Sequence, residues 1–425
     1  MLELNFIRAN KSRVIQGLKI KNFSEEDLQI VEEILSLDDT RKEVQTELDS
    51  LLAERNQLSK TIGDLMKAGK RAEAESQRER VGQLKEQAAK LEDSLKDTKV
   101  QLEELLLKVP NIPHESVPPG ATPEDNEVYK AWASPLPELS SDALPHWELA
   151  QKYNIFDLEL GVKLTGSGFP VYRGKGAKLE RALISFFLDE ATRAGFEEVI
   201  PPLMVNEDTA RATGQLPDKE GQMYYVERDN LYLIPTAEVP VTNIYRDVIL
   251  DAADFPVKMT AYTPCFRREA GSYGAHVRGL NRVHQFDKVE IVVLQHPDKS
   301  YETLQEMLAH VSGLLDKLEL PYRILRLCGG DMSFTSALTF DFEVFSAAQK
   351  RWLEVSSVSN FETYQSNRMK LRFRDGKATR LAHTLNGSAL ALARVVAALL
   401  ENNQTPEGIV IPKVLRDYTG FELLN

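Results

Sequence analysis

Two long runs of this chain repeat apolar positions at steps of four and three. Ile30, Ile34, Leu37, Val44, Leu48, Leu51, Leu58, Ile62 and Leu65 mark the first, interrupted only by Arg41 and Arg55. Ala74, Val81, Leu84, Ala88, Leu91, Leu95, Leu102 and Leu105 mark the second, with Gln77 and Thr98 filling the remaining steps. A period of ~3.5 residues predicts a seam between two helices of similar length. The stretch between them, Met66-Lys67-Ala68-Gly69-Lys70, is a short glycine turn, so the helices pair antiparallel as a coiled-coil arm over about residues 27–107. At ~1.5 Å per residue, ~40 residues in each helix give an arm of roughly 60 Å. A short cap with a helix around Phe6 to Leu18 precedes the arm, and Val109-Pro110-Asn111-Ile112-Pro113 ends it. Further prolines at Pro118, Pro119, Pro123, Pro135, Pro137 and Pro145 predict a linker. The expected division is an N-terminal domain at 1–109, a linker at 110–145 and a globular body at 146–425.

The body changes period. Leu179, Ala182, Leu183, Phe186 and Ala191 form one apolar stripe on a helix over Lys178–Arg193. A turn at Gly195 leads into a strand over Phe196–Ile200 closed by Pro201 and Pro202, which places it at an edge or end of a sheet. Leu231–Pro235 is another strand, followed by Thr236-Ala237-Glu238. Tyr262–Phe266 is apolar and aromatic; Gly271, Gly274 and Gly279 follow, and Val283–Glu290 then alternates with period two. Arg267 and Glu269 are two apart, so on a continuing strand they project from one face. Trp352–Ser357 ends a strand in serines. Leu381–Ser388 runs into the alanine-rich segment Ala389–Glu401, expected to be a buried helix, with Gly387 permitting the strand-to-helix turn.

Charge and composition narrow the class. The net charge of -12 argues against nonspecific nucleic-acid binding over the whole surface. It hides an asymmetry along the arm. The root, Glu26 to Glu54, is strongly acidic, whereas the distal half carries Arg55, Lys60, Lys67, Lys70, Arg71, Arg78 and Arg80. A basic tip on an acidic stalk suits a phosphate backbone, and the same charges also describe a solvated coiled coil that tunes its own pairing. No apolar run reaches the ~20 residues that span a bilayer, and the charged N-terminus lacks a secretory core, so no membrane association or export is expected. Cys265 and Cys328 form no metal spacing and fit a reducing cytoplasm as structural thiols.

Several residues carry chemistry, each with a plainer alternative. An arginine fork such as Arg267 can grip phosphate or carboxylate, and Phe286 on a polar sheet face can stack on a flat base; a charged hairpin with a surface ion pair is the alternative. Thr236 and Glu238 can receive an ammonium group, or be a helix cap and first turn. Glu354 and the hydroxyls of Ser356 and Ser357 are hard oxygen ligands suited to Mg²⁺, or serines of an ordinary turn. Arg394 is a lone charge in an apolar helix and must meet an anion, either a core carboxylate or a phosphate.

Taken whole, the stretch Thr263–Glu290, with FR-x-EAG and RGL-x-R-x-HQF-x-KVE, resembles motif 2 of class II aminoacyl-tRNA synthetases in the form found in seryl-tRNA synthetases of the bacterial type. Phe196–Pro202 resembles motif 1, Glu354-Val355-Ser356-Ser357 the EISS segment, and HTLNGS with its helix motif 3. The match runs from the arm to Pro412. It implies an α+β fold: a class II antiparallel β-sheet core flanked by helices, with the two-helix arm projecting. It implies ATP-dependent activation of L-serine and transfer to tRNA(Ser), and to tRNA(Sec), by a cytoplasmic homodimer. On the residues that match, Arg267 would hold the α-phosphate and reacting carboxylate. Glu269, Phe286 and Val283, with Arg268 beside them, would hold the adenine end of ATP. Glu354, Val355, Ser356 and Ser357 would meet the phosphates, Glu354 and Ser357 the Mg²⁺, and Arg394 the γ-phosphate. Thr236, Ala237, Glu238, Arg267, Glu290 and Ser388 would line the serine site, and the basic residues of the distal arm would meet tRNA. His383 is given no role. Arg268, Phe361–Tyr364 and Leu415–Tyr418 depart from the usual pattern. Two other classes remain open: an enzyme that adenylates an amino acid for a carrier protein, which would lack the arm, and a coiled-coil interaction protein with an inactive body.

Overall fold

A computed structural model describes residues 1–218, 221–269 and 277–425; Gly271 and Gly274 of the expected loop lie outside the described residues. The chain divides into two compact units, Met1–Lys19 with Phe23–Pro110, and Ile20–Asn22 with Asn111–Asn425.

In the first unit the helix expected over Phe6–Leu18 is two helices, α1 (Leu4–Ala9) and α2 (Lys11–Ile20). They break at Asn10, whose side chain and backbone N–H both donate to the Phe6 carbonyl. The arm follows as α3 (Ile30–Lys67) and α4 (Arg71–Lys108), 38 residues each and packed along their length. Gly69, at φ +76°, takes the left-handed conformation that the reversal needs. Leu48, Leu84, Ala88, Leu95 and Leu102 of the seam are buried. At the root the buried line keeps its steps of three and four but shifts phase: Val31, Ile34 and Asp38 are buried, while Leu37 is half-buried. The reason is a second partner, α1, whose Arg8 lies 2.8 Å from Asp38. Arg41 and Lys42 reach the same carboxylate at 2.8 and 2.6 Å. Burial alone would push the Asp38 carboxyl up, yet these three cations hold it at about 2.

The second unit is built on an eight-stranded sheet: β1 (Glu127–Lys130), β2 (Glu197–Glu198), β3 (Val257–Phe266), β4 (Gln285–Gln295), β5 (Tyr322–Arg326), β6 (Leu338–Ser346), β7 (Arg351–Glu362) and β8 (His383–Ala391), in the spatial order β1-β5-β6-β7-β8-β4-β3-β2. All neighbours are antiparallel except the short edge strand β2, which runs parallel to β3. Strand β1 arises from the proline-rich stretch. Helices α5 (Gly174–Arg193), α6 (Ser300–Lys317) and α7 (Leu392–Asn402) cover one face, where Leu183, Phe186, Val311, Leu315 and Val396 meet Val289, Ile291, Val293 and Phe342. Burying each such side chain is worth ~1.5–3 kcal/mol, so this layer fixes the sheet that carries the polar residues below. The fold is α+β with helices flanking an antiparallel sheet, as expected.

One local expectation fails. Gly387 makes no turn; β8 continues through it to Ala391 and α7 begins at Leu392. Gly387 stands opposite Val358 of β7, and a Cβ there would lie 2.8 Å from Val358 Cγ2. The glycine is needed for close packing across the sheet. Because this part of β8 is buried, it reads as a continuous apolar run, which periodicity cannot tell from a helix.

Candidate functional site

Strand β4 sorts its side chains by parity. Val289, Ile291 and Val293 enter the helix-covered core, while Phe286, Lys288 and Glu290 share the opposite face. Glu290 stands directly across from Ser388 of β8, and Thr384 and Asn386 continue along that face. A short strand, Leu231–Leu233, brings in Thr236 and the buried helix Glu238–Thr242. Thr236 Oγ1 donates to Glu290 Oε2 at 3.1 Å. It accepts from Lys288 Nζ at 2.8 Å and from the Glu238 N–H at 3.2 Å. The helix-start reading of Thr236 and the polar-pocket reading therefore describe the same residues. Ala237 lies in a separate apolar cluster with Met259 and Val292, so its side chain is turned away from the polar group.

Sequence reasoning gave Lys288 no role. Its ammonium lies 2.6 Å from Glu290, both buried. The signal was the period of two in Phe286-x-Lys288-x-Glu290. The pocket thus holds two carboxylates, Glu238 and Glu290, against one ammonium. That surplus shows in Glu238. Its carboxyl is pushed up to about 7, first by burial and then by the Glu290 charge, against Gln365, Lys288 and Asn386, which pull it down. Gln365 Nε2 donates to Glu238 Oε1 at 2.6 Å. Asn386 of β8 lies beside it. The pocket is suited to take up one more positive charge.

At the open end of this face the Arg267 guanidinium lies over the Phe286 ring, 5.3 Å from its centroid, and its Nε donates to the Pro235 carbonyl at 3.4 Å. The expectation that Arg267 and Glu269 share a strand face is corrected: β3 ends at Phe266. The backbone N–H of Arg268 donates to the Gln222 carbonyl at 3.0 Å, and that of Glu269 to Gln222 Oε1 at 3.1 Å. Glu269 takes φ +49°, in the left-handed region, and its carboxylate pairs with Arg282. Gln222 pulls the chain off the sheet. Val283 is buried in the main core.

Farther along the sheet, Glu354 and Ser357 are three apart on β7, which on a regular strand would set them on opposite faces. A register shift corrects this. Glu343 pairs with Glu354, Phe342 with Ser356 and Asp341 with Ser357, so an extra residue at Val355 bulges and brings Glu354, Ser357, Asp341 and Glu343 to one face. Val355 itself enters the core, and the Ser356 hydroxyl donates to the Ser388 carbonyl at 2.6 Å. Asp341 Oδ1 is buried without a hydrogen-bond partner among the described residues. Burial, then the nearby Glu354 charge, push its carboxyl well above the usual range, while the Ser357 hydroxyl pulls it down. Arg394 is half-buried, and the carboxylate near it belongs to the half-exposed Glu354 rather than to the core. It donates to the Asn281 carbonyl at 2.7 Å and the Glu354 carbonyl at 2.8 Å, with the Glu354 carboxylate at 3.5 Å. Among the described residues no three His, Cys, Asp or Glu side chains gather as a metal site.

Of the basic residues on the distal arm, Arg80 pairs with Glu54 at 2.9 Å and Lys70 with Glu73 at 3.1 Å. His383 is buried, bonds Ser300 Oγ at 2.8 Å and is held neutral by burial, its pKa lowered to about 4.

This sheet, with a polar strand face between two basic side chains, Arg267 and Arg394, is that of a class II synthetase: residues 224–403 match the family model described as tRNA synthetase class II core domain (G, H, P, S and T). Residues 1–113 match the seryl-tRNA synthetase N-terminal domain. A serine--tRNA ligase of Salinibacter ruber is 51% identical, aligned over 99% of this chain and 98% of its own length. One from Prosthecochloris aestuarii is 46% identical over 100% and 99%. Among solved structures, seryl-tRNA synthetase from Pyrococcus horikoshii complexed with ATP superposes with a TM-score of 0.92 at 33% identity, covering 100% of this chain and 99% of that one. The chain belongs to the seryl-tRNA synthetase family. Its reaction is that of a serine–tRNA ligase.

Proposed function

We propose that serine and ATP bind side by side on the polar face of β4, β7 and β8. A serine carboxylate oxygen attacks the α-phosphorus in line, the bond to pyrophosphate breaks, and seryl-adenylate remains. A ribose hydroxyl at the 3′ end of tRNA(Ser) then attacks the seryl carbonyl and AMP leaves; tRNA(Sec) is a second acceptor in this reading. The surplus negative charge of the buried Glu238–Glu290–Lys288 group carries the proposal, because the α-ammonium of an amino acid supplies the missing cation. Thr236, Glu238, Glu290 and Ser388 line the serine site, and a hydroxyl held among such groups rejects alanine strongly, since polar atoms would be left unpaired.

Arg267 holds the α-phosphate and reacting carboxylate, with Phe286 beneath the adenine and Glu269 at its edge. Catalysis comes from positioning and from charge set where the phosphoryl oxygens gain it. Arg394 holds the γ-phosphate, reached by exchanging its 3.5 Å contact with Glu354 for phosphate. Mg²⁺ fits Glu354 and Ser357: hard oxygens on one sheet face, one of them a half-exposed carboxylate without a tight partner. When bound it neutralises phosphate charge. Cys265 and Cys328 are buried and serve no covalent step.

We take residues 1–109 as the tRNA-binding domain, 110–145 as linker and 146–425 as the catalytic domain. Arg55, Lys60, Lys67, Arg71 and Arg78, with Lys70 and Arg80, meet the tRNA backbone, read by shape as A-form RNA requires. The protein works in the cytoplasm as a homodimer through the segment after β2, where Ile200 is 88% exposed. Among the described residues no helix is long and apolar enough to cross a membrane.

The test is amino-acid-dependent ATP–pyrophosphate exchange over the standard amino acids without tRNA. Exchange with serine alone is expected; exchange with none, from folded protein, overturns the proposal. Replacing Leu51 to Ala88 with a short turn should then abolish tRNA charging and leave exchange intact.

A further inference from the structure

Gln365 has no place in the reaction derived above, yet it is wholly buried and both ends of its amide are engaged. It lies at the start of the helix Tyr364–Met369. Its Nε2 donates to Glu238 Oε1 at 2.6 Å and to the Thr213 carbonyl at 3.2 Å. Its Oε1 accepts from Thr384 Oγ1 at 2.7 Å. The Thr213 carbonyl can only accept, and the Thr384 hydroxyl supplies one hydrogen, so together they fix which end of the amide faces Glu238. Reversed, the amide would set its oxygen against a carboxylate and a carbonyl. We propose that Gln365 is a positioning residue for serine recognition: latched by Thr384, it holds one oxygen of Glu238 so that the carboxylate is presented to the amino group of serine. This rests on the reading of Glu238 as the partner of that ammonium.

The charged surroundings of Glu238 are few. Lys288 and Glu290 reach it from β4, and β8 brings the neutral Asn386. The helix Glu207–Thr213, packed against it, directs its charge elsewhere: Arg211 is exposed and pairs with Glu207. Arg368, on the helix of Gln365, donates to the carbonyls of Arg211 and Leu216, and Arg246 to Thr209 Oγ1. Gln365 is therefore the strongest neutral donor on that carboxylate, at the shortest distance.

The experiment is serine-dependent exchange from pH 6 to 9 with wild type, Gln365→Ala, Thr384→Val, Thr384→Ser and Glu238→Gln, each checked for a native melting transition. Gln365→Ala should raise the KM for serine at pH 7 by roughly tenfold to a hundredfold, with kcat and the KM for ATP changed by less than about threefold. It should move the acid limb of 1/KM upward by about one pH unit, so that the gap to wild type narrows by pH 9. Thr384→Val should shift the limb the same way, and Thr384→Ser should restore it. If Glu238→Gln destroys serine binding while Gln365→Ala leaves the limb in place, the positioning role is overturned and the reading of Glu238 stands. If Glu238→Gln leaves the KM for serine unchanged, the reading of Glu238 falls and the positioning role with it. A loss in Gln365→Ala that is equal at every pH and shared by the KM for ATP marks a packing role and overturns the proposal.

Discussion

Lys288 Nζ lies 2.6 Å from Glu290 Oε2, and both side chains are more than nine-tenths buried. Removing one partner of such a pair leaves an uncompensated charge and costs ~3–5 kcal/mol. Lys288→Met should therefore lower the stability measured by denaturant unfolding by about that amount. Adding Glu290→Gln should recover part of the stability, because the stranded charge goes too, while serine exchange stays lost. Recovery of exchange in the double variant would remove Glu290 from the serine site.

Glu238 predicts a pH dependence with a definite sign. Its pKa is raised from an ordinary 4.5 to about 7, so the folded state binds a proton more tightly than the unfolded chain. Stability from this group is full below about 4.5 and is lost as pH rises toward 7. On the proposed reading, serine brings its own positive charge to the ionised form, so its KM should fall as pH rises through 7. Glu238→Gln should make the serine-free protein more stable at pH 8, by thermal melting, and abolish serine exchange. A variant less stable at pH 8 would contradict this.

Asp38 has the opposite sign. Its carboxyl is held at about 2 by Lys42, Arg41 and Arg8, against burial. The stability it contributes is present above about pH 4 and lost as pH falls toward 2. Asp38→Ala should destabilise the helical first unit by ~1.5–3 kcal/mol, the range for a hydrogen bond to a charged group. Circular dichroism of the full chain in denaturant should resolve this as an earlier loss of helix, with serine exchange unaltered in native buffer.

Gly387 tests the packing of β8 on β7. A Cβ would sit 2.8 Å from Val358 Cγ2, so Gly387→Ala should cost ~1–3 kcal/mol by overpacking. Val358→Ala in the same chain makes room and should return most of the loss in melting temperature. Had the glycine served a turn, Val358→Ala would rescue nothing.

For the metal, Glu354→Gln should raise the Mg²⁺ concentration needed for half-maximal exchange by about tenfold, with partial recovery at high Mg²⁺. An unchanged Mg²⁺ requirement would place the ion elsewhere.

The sequence showed most plainly what depends on local period. The seams through Leu48 and Leu84 gave both arm helices and their turn, and the alternation around Phe286 and Glu290 gave β4 and its two faces. Position could not be read where tertiary contacts override period. Asp38 is buried because Arg8, thirty residues earlier, covers it. Glu354 and Ser357 share a face because Val355 bulges, which no count along the chain reveals. Glu269 leaves the line of the strand because Gln222 accepts from the backbone N–H groups of Arg268 and Glu269. Lys288 shares the period of two with Phe286 and Glu290, but its contact with Thr236 comes from a distant loop, and Gln365 becomes legible only once Glu238 and Thr384 are seen around it.

The pairing of β1 with β5 joins Glu127 to Arg326, 199 residues farther on. A hairpin such as α3 and α4 forms from near neighbours and can fold as soon as it leaves the ribosome. The sheet cannot close its β1 edge until most of the second unit has been synthesised. The order of manufacture is thus written into the topology: the arm stands first, and the site becomes whole only near the end of translation.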